Sequence, residues 1–539
     1  MTSTTGSHGV AGQREAAFTR LFPKRITGFN PQDLQTLAQA MIGNQGDKPS
    51  NEPDGEENLL VPAGYTYLGQ FIDHDLTFDT TSSLLDVRAA ASNLRTPRLD
   101  LDCVYGSGPD DQPYLYATRD DLNAGVRKGA SLVLGRVLVG VSNRHDLLRL
   151  DDSEEARAVI GDPRNDENSI VCNIQAAFIQ FHNTVVAKLS REQPQLSTGQ
   201  LFHKARKLVR WTYQRIVAED YLPRIIEPAT YQTFRHRLDT QGEGAFKLFT
   251  ANLRTGIPIE FAGAAYRYGH SMVRTGYKLN EGHEPQFIFT PGKGINSLVG
   301  FGKLSDKHWI EWKRFFPEGN FFKAGQRPDH NNNVADDRLQ WAYRIDTALV
   351  DPLSVLPQAI SEGNSLADLN LRRGEIFGLV SGQVIANALG LAPLDKKYLV
   401  VRDKKDGDYG YTSIPASLVR DTPLWYYVLA EAQRELVDSW YAKNGGKTGA
   451  QALDEDDLLS GVPDAEGARK CAPAAQLGPV GGMILLETFF GLLLADKDSY
   501  LSISSDTDRD DYTTWFSSFT NNGAVDVSAW QLLAFAKLI

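Results

Sequence analysis

Cysteine is scarce, with Cys103, Cys172 and Cys471 the only three in 539 residues. At most one disulfide can form, and the spacings match neither a zinc knuckle nor a CxxC pair. A disulfide framework is therefore excluded, and the three read as small buried apolar residues. Long hydrophobic runs are missing as well. Apolar residues make up 42% of the chain, yet no run of about 18 uncharged apolar residues occurs, so the expectation is a soluble globular protein without a membrane span. Basic excess is absent: the formal net charge is -11, with both signs mixed along the chain. That argues against nucleic acid as a partner, since such binding works by neutralising phosphates. The opening "MTSTTGSHGVAGQREAAF" has no basic stretch followed by an apolar one, hence no recognisable secretory signal. The protein is expected to be cytoplasmic, or exported without an N-terminal signal peptide. Few cysteines also fit a cytoplasmic or bacterial setting.

What is present is mostly helical periodicity. In "SIVCNIQAAFIQFHNTVVAKL" (169–189), Ile170, Ile174, Ala177, Phe178, Phe181, Val185 and Leu189 recur at steps of three and four, the mark of a helix burying one stripe. Similar patterns run through 201–222, 366–391, 424–441 and 480–495, and alternating strand-like segments are few and short. The fold class is therefore mainly α. The length suggests two to four domains, with polar breaks near residue 50 and over 443–475, neither of which needs to be a boundary. No internal repeat or heptad array is present.

The stretch "GQFIDHDLTF" (69–78) sets a histidine between two acids in an apolar run. If 65–76 is a helix, Gln70, Asp73 and His74 stand at i, i+3 and i+4 and share a face. Asp75 lies about 200° from Asp73, at roughly 100° per residue, so the two acids look in opposite directions. In "TPRLDLDCVYGS" (96–107), Thr96, Asp100 and Asp102 alternate with Leu99, Leu101 and Cys103. An extended segment would then show oxygen groups on one side, hard ligands suited to calcium. Taken alone, the first stretch is equally compatible with a helix end whose acids are solvated and whose histidine is satisfied in the core, and the second reads more readily as a solvated strand face.

Five motifs together carry more. "GQFIDHDLTF", "DLDCVYGS", "GDPRNDENSIVCNIQAAFIQFHN", "YRYGH" and "LADLNLRRG" occur in the order and approximate spacing of the animal-type haem peroxidases of the peroxidase-cyclooxygenase superfamily. The resemblance covers about residues 60–390, and "QLGPVGGMILLETFFGLLLADKDSYL" looks like the closing helix of that family. It implies one large mainly α domain over residues 21–539 after a flexible segment 1–20, with haem b buried between central helices.

Residue by residue, the resemblance implies His74 as the distal base and Arg164 as the distal arginine, with Gln70 and Phe78 at halide-pocket positions. It implies His270 as the axial iron ligand, Asn370 as the acceptor on its second nitrogen, and Arg267 as a partner of the haem propionates. Asp73 and Glu167 correspond to the carboxylates that form ester bonds to haem. A calcium ion is implied at Asp75, Thr96, Arg98, Asp100 and Asp102. The expected reaction reduces hydrogen peroxide while oxidising halide, thiocyanate or small aromatic donors, and the motifs specify no oligomeric state.

The sequence departs from the myeloperoxidase pattern in places. Asn168 stands at the position of a methionine that bonds to haem, so that linkage is excluded. Arg98 replaces an aromatic residue and Asp102 a serine, and "EIFG" follows the arginine motif in place of "DHG". Two alternatives remain. A fatty-acid dioxygenase would carry a tyrosine three residues before His270, where Arg267 stands; a haem-free scaffold or adhesion protein would not need His74, Arg164, His270 and Asn370 together.

Overall fold

The structure is a computed structural model describing residues 16–539 except 44–47, 53, 79–91, 94, 291–296, 319–337, 358–364, 406–407, 447–450, 455–456, 459–460, 462–472 and 522. Most of the segment 1–20, much of the 443–475 break and Cys471 lie outside the described residues. Cys103 and Cys172 are buried free thiols.

Helices dominate, and the strands among the described residues pair only as two-stranded antiparallel ribbons. Helix α1 (Gly64–Leu76) is buried along most of its length. Its first glycine is required by close approach, since a Cβ on Gly64 would lie 2.5 Å from the Phe315 carbonyl oxygen and 2.6 Å from the Phe316 ring. Helix α2 (Ser169–Glu192) starts at Asn168, whose side chain accepts from the Ile170 and Val171 amides, and this satisfies two of the orphan donors at a helix start. It is long and apolar enough to cross a membrane, but 78% of its apolar window is buried within the fold. Helix α3 (Thr198–Arg215) opens with a capping box between Ser197 and Gln200.

Three periodic stretches are less continuous than their pattern suggests. The 201–222 pattern leaves α-geometry at a π-helical turn, Ile216–Tyr221. The 366–391 pattern divides into α4 (Leu366–Phe377) and α5 (Gly382–Leu389), because Gly378 turns left-handed with φ of 59°. The 424–441 pattern divides at Gln433 into α6 (Leu424–Ala432) and α7 (Arg434–Lys443). Apolar spacing persists across such breaks, so periodicity cannot register them.

Helix α8 (Pro479–Ala495) is apolar on every side and almost wholly buried, as a central core helix should be. Its one acid, Glu487, accepts from the Lys247, Leu248 and Phe249 amides. Strand β1 (Glu57–Pro62) pairs with β2 (Trp341–Tyr343) and carries a buried ion cluster. Glu57 bonds Arg274 at 2.8 Å and Arg338 at 2.6 Å, all three side chains being 1% exposed. The same region holds Arg402 between Glu56 and Asp346.

Candidate functional site

A single cavity of about 280 Å³ is lined by Gln70, Asp73 and His74 of α1, by Arg164, Glu167 and Asn168, by Arg267 and His270, and by Asn370 and Arg373 of α4. The remaining wall is mainly apolar, with Ile288, Phe289, Leu353, Leu356, Leu366 and Leu369. Eight positions to which the resemblance gives a haem-binding or catalytic role thus share one cavity, although they span 300 residues from Gln70 to Asn370.

His74 is buried, and its Nδ1 lies 2.7 Å from Asn165 Oδ1. That oxygen only accepts, so the ring proton sits on Nδ1 and Nε2 keeps its lone pair. Asn165 is itself oriented, donating from Nδ2 to Gln175 Oε1 at 2.9 Å. Burial, reinforced by the nearby Arg164 charge, lowers the His74 pKa to about 4. The imidazole is therefore neutral near pH 7.

Arg164 lies on a 3-10 turn, Pro163–Asp166. Its Nε and Nη2 donate to Asp162 at 3.1 and 2.8 Å, and Nη2 also reaches the carbonyls of His74 (3.1 Å) and Thr77 (2.5 Å). The guanidinium is fixed to the end of the histidine's own helix, with its carbon 4.6 Å from the Phe78 ring centroid. Gln70 is fixed as well: its amide donates to Glu167 Oε1, and Asn168 Nδ2 donates to its oxygen at 3.1 Å. Burial raises the Glu167 pKa to about 7 against the pull of Arg164.

His270 sits on the 3-10 segment Ala265–Met272. Burial, with Arg267 and Arg373 nearby, lowers its pKa to about 3, which keeps the ring neutral and able to ligate. Asn370 Nδ2 lies 2.9 Å from His270 Nδ1, so the amide donates there, the reverse of the acceptor expected from the sequence. A half turn of the amide exchanges its oxygen and nitrogen at the same place. Arg267 donates to the Ala262 carbonyl at 2.9 Å. Two neutral imidazoles, an apolar wall and the charges of Arg267 and Arg373 fit a flat, iron-containing macrocycle with acidic side arms.

Asp75 faces away from the cavity, as the helix geometry requires. It converges with Asp100 and Asp102, one carboxylate oxygen from each lying within 4.8 Å of the others. The segment before Asp102 is not extended: Leu101 is left-handed with φ of 61°, and a short helix, Asp102–Tyr105, begins there. The turn, not strand alternation, brings Asp100 and Asp102 together. The two Asp75 oxygens and Asp100 Oδ1 are buried without a well-formed hydrogen bond, although the Leu101 amide and Tyr213 hydroxyl approach Asp75. Burial and mutual repulsion push Asp75 well above the carboxylate range; burial chiefly takes Asp102 to about 7, against the pull of Arg95. Such a set is suited to a hard cation. Thr96 donates its hydroxyl to Asp100 at 3.0 Å, while the Arg98 side chain turns to Asp496 and Asp498 at 3.8 and 4.0 Å.

Sequence reasoning missed Asn165, Asp162, Arg95 and Arg373. Asn165 and Asp162 lie inside a quoted motif and Arg373 inside another, so only their partners were hidden. Arg95 carries no local signal.

Residues 77–291 match the family model "Animal haem peroxidase". That span contains Arg164, Glu167, Arg267 and His270, starts three residues after His74 and ends before Asn370. The chain is 29% identical over 203 residues to chorion peroxidase of Drosophila melanogaster, covering 36% of this chain and 24% of that protein. To the peroxidasin homolog pxn-2 of Caenorhabditis elegans it is 26% identical over 465 residues, covering 69% of this chain and 32% of the relative. The chain thus matches a third or less of these relatives' length. Peroxidase A of Dictyostelium discoideum has the same fold, with a TM-score of 0.52 at 15% identity, covering 96% of this chain and 93% of that one.

Proposed function

The chain belongs to the animal-type haem peroxidases, and from that membership we propose that it reduces hydrogen peroxide with electrons drawn from a small donor, either a halide, thiocyanate or an aromatic compound. The observation that carries this reading is the pair of neutral imidazoles, His74 and His270, lining one cavity with Arg164. His270 Nε2 would ligate iron with Asn370 on the other nitrogen, where the amide, turned to present its oxygen, would accept from Nδ1 and strengthen the ligand. Arg267 and Arg373 would pair with the haem propionates, and Asp73 and Glu167 are the positions for ester links. Haem, when bound, supplies the two-electron redox couple for O–O cleavage. His74 Nε2 takes the proton from one peroxide oxygen and returns it to the other. Arg164, clamped by Asp162, offers fixed positive charge to the oxygen that departs. Arg267 stands where the dioxygenase branch has its tyrosine, and the flanking Tyr266 and Tyr268 are hydrogen-bonded to Tyr221 at 3.1 and 2.5 Å.

The test is a visible spectrum of protein produced with ample haem, before and after one equivalent of hydrogen peroxide. A Soret band that shifts and then recovers with an added donor is expected; absence of the band overturns the reading. In the same experiment His270→Ala should lose most of its haem.

We assign calcium to Asp75, Asp100 and Asp102, helped by oxygens of Thr96 and Arg98, because hard oxygen ligands with unsatisfied lone pairs converge there. Chelation with EGTA should lower the melting temperature. Calcium at about 100 times its Kd is worth about 2.7 kcal/mol, readily seen in a thermal scan. An unchanged melting temperature after metal analysis shows calcium gone would refute the assignment.

A further inference from the structure

One guanidinium links the acidic cluster, through Asp102, to Asp162, the carboxylate that clamps the cavity residue Arg164. Arg95 is buried, and its Nη1 donates to Asp102 Oδ1 at 3.2 Å. Its Nη2 donates to Asp162 Oδ2 and to the Gly161 carbonyl, the latter at 3.2 Å. Asp162 is fully buried, and the same Oδ2 accepts from Arg164 Nη2 at 2.8 Å while Oδ1 accepts from Arg164 Nε. Two arginines therefore share one carboxylate. They also flank one ring, with guanidinium carbons 5.2 Å (Arg95) and 4.6 Å (Arg164) from the Phe78 centroid.

The connection is rigid. Asn93 Oδ1 accepts from the Phe78 and Arg95 amides at 2.8 and 3.1 Å, and its Nδ2 donates to the Leu76 carbonyl. The base of Arg95 is thus tied to the end of α1, the helix that carries His74 and Asp75. A planar fork spanning two carboxylates cannot follow one without leaving the other.

We propose that Arg95 is a positioning residue: it couples a divalent cation held by Asp75, Asp100 and Asp102 to Arg164 through Asp162, so that cation occupancy strengthens anion binding in the cavity. The inference rests on the haem peroxidase reading. With the cation bound, its two charges offset most of the negative charge of the three carboxylates, and Arg95 is shared with Asp162, which then draws less on Arg164. With the cation gone, Asp102 has lost its cation partner and draws Arg95 to itself. Asp162 is left to Arg164 alone, and the charge available to the cavity falls. Arg164 uses Nε and Nη2 in the clamp, and its Nη1 lies outside it.

The experiment is a cyanide titration of the haem-loaded protein, followed by the Soret shift, in excess calcium and after dialysis against EGTA until metal analysis shows calcium removed. Cyanide serves as the probe anion, and affinity rather than turnover is read. In the native protein, calcium removal should weaken cyanide binding about tenfold, the scale of one partly buried charge interaction. Arg95→Met should bind cyanide weakly in calcium and change less than about twofold on its removal. Arg95→Lys, which keeps the charge, should retain most of the calcium response, and Arg95→Gln serves if the methionine variant does not fold. A calcium response in Arg95→Met and Arg95→Gln equal to that of the native protein overturns the coupling while leaving the peroxidase reading intact. So does a native affinity indifferent to calcium. A native protein with no Soret band overturns that reading and this inference with it.

Discussion

Replacing His74 by alanine is expected to slow the reaction with hydrogen peroxide by about 10²–10⁴-fold, the usual contribution of a positioned general acid–base, while haem content is unchanged. The expectation follows from three features of the ring. Asn165 fixes the proton on Nδ1, burial and Arg164 keep the imidazole neutral, and the side chain lines the same cavity as His270. Such a group can take a proton and hand it back without a change of tautomer. Stopped-flow spectroscopy separates the outcomes: the Soret band reports haem and its change with peroxide reports the rate. A normal rate in a haem-replete variant would remove His74 from the role of base.

The largest effect on stability should come from Glu57→Ala. Glu57 holds both Arg274 and Arg338, and none of the three is open to solvent. Removing the acid leaves two buried guanidiniums without their shared counter-charge, a change that costs about 3–5 kcal/mol. Arg274 follows four residues after His270 and also donates to the Trp341 carbonyl, so loosening it should weaken haem retention too. Urea unfolding gives the comparison with Glu154→Ala. Glu154 is 85% exposed and 3.8 Å from Lys303, and surface pairs of that kind contribute about 0–1 kcal/mol. Equal midpoints for the two variants would show that the buried cluster is not stabilising.

Helix geometry alone placed Gln70, Asp73 and His74 on one face and turned Asp75 the other way, because about 100° per residue is a local property of the backbone. The mainly α class was legible for the same reason, in apolar spacing over segments such as 169–189. The five motifs, read by resemblance, marked the positions that line the cavity, since those residues cluster in short quotable stretches. Local pattern could not show where a helix breaks, as at Gly378 and Gln433, because burial continues on both sides.

Partnerships were decided only by the tertiary structure. Asn165 meets His74 across 91 residues and Asn370 meets His270 across 100, and no periodicity spans such gaps. The calcium-type cluster is the clearest case: alternation suggested an extended strand, whereas a left-handed Leu101 gathers Asp100 and Asp102 against Asp75. Arg95 had no signal at all, since nothing in the sequence sets it apart from its neighbour Arg98. Its position between Asp102 and Asp162 exists only once α1, the 95–102 turn and the 162–164 turn are packed together. The sequence by itself thus determined which side chains exist and which helical face each occupies, because those follow from bonds and local geometry. Packing decided which charges share a buried carboxylate, because that depends on segments brought together from distant parts of the chain.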